Sequence, residues 1–184
     1  MISRKKSSAT GIKFGIIAAV VYMLCLYIKF RLFDASLMTF SLAATAAYIL
    51  FIVLCIFAAF TRKKQLGGYI DIKDLFQTIF LVIIIAECFY AGFNYIYLTY
   101  IDPGFFDRLA ENTRKWGEQT GRANQQLEEL VKSIKAQKGT TLGTVLLGLA
   151  RSVVLDAIIG IIIAFILKNP QQVSEADLDQ KTSF

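Results

Sequence analysis

"LMTFSLAATAAYILFIVLCIFAAF", Leu37–Phe60, decides the fold. It contains no charged residue. A helix needs roughly 20 mostly apolar residues to cross the hydrocarbon core, and this stretch is long enough. Such a helix satisfies its backbone groups internally, which lipid demands. The small residues of "SLAATAAY", Ser41–Tyr48, would let a neighbouring helix backbone approach closely.

Working outward, three more blocks fit the same description. The first, about 12–33, has the uncharged core "FGIIAAVVYMLCLYI", with Lys13, Lys29 and Arg31 toward its ends, where long side chains snorkel to the headgroups. It is too long for a signal peptide, and no A-x-A-like site follows it closely. The third block is 75–101 and the fourth 142–167. The spacing predicts an all-α integral membrane protein with spans at 12–33, 37–60, 75–101 and 142–167. A basic segment (1–11) precedes the membrane domain (12–168), a polar helical insertion (102–141) interrupts it, and a polar tail (169–184) follows. A soluble chain carries about 25% charged residues; here the share is 18%, and the mean hydropathy is +0.54.

The basic residues cluster at the ends of apolar blocks. Membrane orientation explains the net charge of +6 better than nucleic acid does. Arg4-Lys5-Lys6 and Arg62-Lys63-Lys64 flank the first two spans and predict that both termini lie on the cytoplasmic side. There is no histidine, the three cysteines (Cys25, Cys55, Cys88) all lie in apolar blocks, and no CxxC occurs. Neither a zinc site nor a disulfide framework is expected. No phosphate loop, nucleophile elbow or zinc-protease motif is present, so neither an enzyme nor a cofactor is expected.

Four ionisable or polar groups fall inside the last two spans: Glu87 and Asn94 in the third, Arg151 and Asp156 in the fourth. On insertion scales a charge there costs about 2.5–3.5 kcal/mol, so such groups face the bundle interior and find partners. At 1.5 Å per residue, Glu87 and Asp156 lie about 21 Å from the outer interface and Arg151 about 15 Å. That places Glu87 and Arg151 as an interhelical pair and leaves Asp156 without an opposite charge. An ion or proton path, or a pair that fixes helix register, would use these groups.

"YIYLTYIDPGFFDRLAENTRKW", Tyr95–Trp116, marks the end of the third span. Tyr95, Tyr97 and Tyr100 are expected at the membrane interface, where an apolar ring with a hydroxyl is favoured. Pro103 disfavours the α conformation at Asp102, and Asp can cap a new helix with Pro in its first position. Asp102-Pro103-Gly104 therefore reads as stop, turn and restart. The restarted segment, 104–138, carries an apolar stripe of Phe106, Leu109, Thr113, Trp116, Thr120, Ala123, Leu127, Leu130 and Ile134. It predicts an amphipathic helix, or a hairpin broken near Gly117 and Gly121. Three roles are open to it. Phe105, Phe106 and Trp116 could dip into the bilayer surface, the stripe could meet a protein partner or a second copy, or it could fold back over the spans.

"GGYIDIKDLFQTIFLV" from Gly67 and "YIYLTYIDPGF" from Tyr95 together resemble the domain-of-unknown-function 4199 family of bacterial membrane proteins. Its members share a Gly-Gly-Tyr-Ile entry to the third span and an Ile-Asp-Pro-x-Phe exit, then a polar helical stretch and a last span ending in basic residues, here "IIGIIIAFILKNP". The resemblance implies four membrane helices and no known activity. "LARSVVLDA" is richer in charge than the family's usual last span. The expected role is a non-enzymatic scaffold or accessory subunit acting through the polar helix. The alternative is a small ion- or proton-coupled transporter using Glu87.

Overall fold

The computed structural model describes residues 2–32, 37–121, 125–137 and 141–169. The Asp34 link, Ala123 of the stripe, Lys138 and the tail from Pro170 lie outside the described residues, as do the side chains of Arg4, Lys5 and Lys6. The elements are α1 (Ile2–Leu32), α2 (Leu37–Gln65), α3 (Ile72–Ile96) continued by a π-helical turn (Tyr97–Ile101), α4 (Phe105–Gln119), α5 (Gln125–Ala136) and α6 (Leu142–Leu167). Four stretches are long and apolar enough to cross a membrane: Ala9–Leu32, Met38–Gln65, Ile72–Ile101 and Leu142–Leu167. The chain is an all-α, multi-pass membrane protein. Its outward surface is apolar, with Leu24, Phe57, Phe89, Leu147 and Ile166 all more than half exposed. In water such a surface would aggregate; in lipid it is solvated.

Helix α3 is central and packs on α1, α2 and α6. It lies closest to α1, and glycine is the reason. Gly11 and Gly15 of α1 face Leu81 and Ile85 of α3, so the contact repeats every turn and the two helices run parallel. A Cβ on Gly11 would stand 2.8 Å from that of Leu81, too close for any residue but glycine. Gly160 plays the same part for α6 against Ile79 and Ile83. Leu75, Ile79, Val82, Ile83 and Ala86 of α3 then fill the core together with Ala18, Phe51, Cys55, Ala58 and Ile163.

At the face shared by the start of α3 and the end of α6, the chain is pinned twice. Ile70 and Asn169 exchange backbone hydrogen bonds of 2.8 and 3.0 Å, and Lys63 Nζ donates to the Leu167 carbonyl at 3.1 Å. The lysine meets a carbonyl that the helix end leaves unsatisfied, at the negative end of the helix dipole. Gly67 and Gly68 turn the chain here with φ of 73° and 94°.

The opposite face corrects two of the expected interfacial anchors. Tyr97 and Phe105 are only 8% and 4% exposed. Tyr97 stacks on Phe30 with ring centroids 4.1 Å apart, and Phe105 meets Phe30 edge-on at 5.2 Å. Tyr90, Phe93 and Tyr97 share the side of α3 that packs on α1, so position around the helix axis, not depth alone, sets their fate. Tyr100 and Trp116 are exposed, and Tyr95 and Phe106 are half-buried.

The stop at Asp102 is a π turn. The Asp102 N–H bonds the Tyr97 carbonyl at 2.8 Å, and Pro103 and Gly104 turn the chain into α4. Asp102 does not cap α4, whose N-cap is Gly104 without a side-chain bond. Its carboxylate instead receives both Nη atoms of Arg108. Helices α4 and α5 then form a hairpin, with Ala110, Leu127, Val131 and Ile134 packed between them. Arg114 clamps both oxygens of Glu128 at 2.8 and 2.7 Å. Of the two forms open to the stripe the structure has the hairpin, with α4 ending at the Gly121 turn (φ 68°). Thr113, Leu127 and Ile134 of the stripe turn inward with Ala110, Gly117 and Val131, while Trp116 and Leu130 point outward.

Candidate functional site

Glu87 of α3 and Asp156 of α6 are buried, 3% and 5% exposed, halfway along their helices. Antiparallel packing brings them together. Gly160 lets α6 approach α3 one turn below Asp156, and Asp156 then falls level with Glu87. Their carboxyl groups lie within hydrogen-bonding reach of each other. Tyr48 of α2 donates its hydroxyl to Asp156 Oδ1 at 2.7 Å. Tyr22 of α1 lies near both acids, sandwiched between Phe51 (5.3 Å) and Tyr90 (4.8 Å). Every membrane helix thus supplies a polar group to one mid-depth cluster. The buried Cys55 thiol sits beside Asp156.

The partner expected of Glu87 is Arg151, and the structure gives it Asp156 instead. Glu87 makes no ion pair with Arg151, while Asp156 has no opposite charge within salt-bridge distance among the described residues and takes the Tyr48 hydroxyl instead. Arg151 is five residues from Asp156, so the helix turns its side chain off the Glu87-facing side, where it is exposed. Tyr22, Tyr48 and Tyr90 were missed at the sequence level. Each sits in an apolar run, where a tyrosine reads as packing, and the usable signal was the scarcity of polar atoms at that depth.

Above the acids the two helices part. From Thr141 to Arg151 only Val145 and Leu149 of α6 are half-buried, the rest being exposed. The gap is a cleft of about 810 Å³, within the roughly 300–1,000 Å³ of small-molecule sites. Glu87 lies at its base, and Asn94 and Tyr90 of α3 line one wall. Arg151, Ser152 and Thr144 of α6 line the other, and Phe106, Ala136 and Gln137 of the hairpin form its rim.

Two carboxyls in contact, shielded from water, cannot both keep a full negative charge without a proton or another cation between them. Among the described residues no base lies within salt-bridge distance of either one. No group of three or more metal-ligating side chains is present among those residues. The arrangement suits a proton or a single cationic group, delivered from the cleft side, better than a resident metal.

A family model described as "Protein of unknown function (DUF4199)" matches residues 10–169, and the chain belongs to that family. No curated protein and no solved structure matches it.

Proposed function

We propose that this member of the DUF4199 family is a non-enzymatic, proton-coupled carrier whose working site is the Glu87–Asp156 pair. The observation behind this reading is the juxtaposition of two buried acids, without a basic partner among the described residues, one of which, Glu87, lines the base of a cleft between α3 and α6. Intramembrane acids are costly, and proton relays are where they recur. Tyr48 and Tyr22 would steady the pair as its proton comes and goes. The scaffold reading draws less support, because most of the hairpin's apolar side chains pack against one another and only Trp116 and Leu130 are left facing outward among its described large apolar residues. The same proposal puts the protein in a bacterial inner membrane with both termini in the cytoplasm, which the basic run Arg62–Lys64 favours.

The test is proton flux into proteoliposomes containing a pH-sensitive dye, driven by a potassium-diffusion potential. Wild-type vesicles should change lumenal pH faster than protein-free vesicles, and Glu87→Gln and Asp156→Asn should abolish the difference. Equal rates in wild-type and empty vesicles, or full flux in Glu87→Gln, would overturn the proposal.

A further inference from the structure

The cleft carries two opposite charges, each without a salt-bridge partner among the described residues. At the base, Glu87, with Asp156 packed beside it outside the cleft lining, has no basic partner among the described residues. Higher on the wall, Arg151 makes no salt bridge within that same set. The two levels are five residues apart on α6, about 7.5 Å at 1.5 Å per residue. A cavity that is negative at one end and positive at the other, at membrane depth, is complementary to a molecule of the reverse polarity. Asn94, Ser152 and Tyr90 lie among the lining residues and supply hydrogen-bonding groups.

We infer that this cleft binds a small zwitterion, with its ammonium group directed at Glu87 and its oxyanion, a carboxylate or phosphate, on Arg151. The guanidinium suits either oxyanion because its fork of N–H groups matches two oxygens at once. The ammonium would supply the cation that the acid pair lacks. This binding rests on the same acids as the carrier reading but not on transport itself. Two sources share the chemistry: a water-soluble amino acid whose charges are separated by several carbons, and the phosphoethanolamine headgroup of a lipid.

Detergent-purified protein is titrated with 5-aminopentanoate, and in parallel with phosphatidylethanolamine in mixed micelles, by isothermal calorimetry. Pentanoate, pentylamine and phosphatidylglycerol serve as single-charge controls. The inference expects binding of at least one zwitterion. It also expects Glu87→Gln and Arg151→Gln each to weaken it by about tenfold or more, since a charged hydrogen bond is lost in each. Which zwitterion binds identifies the source. No binding by either zwitterion would overturn the inference. So would controls that bind as well as the zwitterions, or affinity unchanged in Arg151→Gln. Size-exclusion profiles of the variants separate lost affinity from lost fold. Proton flux lost in Glu87→Gln without zwitterion binding would sink this inference and leave the carrier standing. Zwitterion binding without flux would do the reverse.

Discussion

The Tyr48 hydroxyl donates to Asp156 Oδ1 at 2.7 Å, tying α2 to α6 across 108 residues of sequence. Beyond this bond and the one from Lys63 to the Leu167 carbonyl at the helix end, α2 and α6 meet only sparsely. The bond therefore does two things: it satisfies one oxygen of a buried acid and it fixes the rotation of α6 about its axis.

Removing the hydroxyl should be felt. Tyr48→Phe leaves the ring in place and takes away the donor, at a cost of about 1–3 kcal/mol for the buried oxygen left behind. The midpoint of unfolding in a denaturing detergent should fall accordingly. In Asp156→Asn the same change should cost less, because the oxygen no longer belongs to an acid. Equal costs in the two backgrounds would show that the residues are not coupled.

The α1–α3 contact should not tolerate a side chain. On Gly15 a Cβ would stand 2.8 Å from Ile85 Cδ1 and 3.0 Å from its Cβ. Gly15→Val should destabilise by about 1–3 kcal/mol, the usual range for overpacking. Gly92→Ala is the control: nothing lies within 4 Å of a Cβ there, and alanine is the better helix former. The same detergent titration should find Gly92→Ala neutral or stabilising.

The link between bundle and hairpin should depend on the Arg108 fork. Its two Nη atoms hold the two Asp102 oxygens, and the Arg side chain is about half exposed. Arg108→Lys cannot make the paired contact. Global stability should fall by no more than about 1 kcal/mol, as for other exposed pairs. Backbone amides of α4 should exchange with solvent faster than in the wild type, and unchanged exchange would assign the stop to Pro103 and Gly104 alone.

On the hairpin surface, Glu111 has its carboxyl pKa lowered, first by a hydrogen bond from Lys115 and then by that residue's charge. A lowered folded-state pKa means that this contribution to stability is present above the ordinary carboxylate value and is lost as pH falls through the folded one. Carboxyl-carbon NMR should show Glu111 titrating below the 4.5 of a free glutamate and returning toward it in Lys115→Ala. High salt should erase the difference.

Much of this protein was written locally. The four spans follow from unbroken apolar length, because transfer into lipid is nearly a sum over neighbouring residues. The stop at Asp102-Pro103-Gly104 was legible for the same reason: proline's restriction acts on the residue beside it. Depth was legible too, and it put Glu87 and Asp156 at one level.

The sequence could not say which way each helix faces. An almost wholly apolar helix such as α6 has no polar side to mark its rotation, so counting residues gives height without azimuth. Arg151 was matched to Glu87 by height, yet packing at Gly160 turned Asp156 toward Glu87 and left Arg151 on the cleft wall. The same ambiguity hid Tyr97 against Phe30 and Tyr48 against Asp156. Local sequence set what each segment is and how deep its residues lie. Only the fit of one helix against the next decided which polar atoms meet, because close packing selects one rotation from many that lipid would solvate equally well.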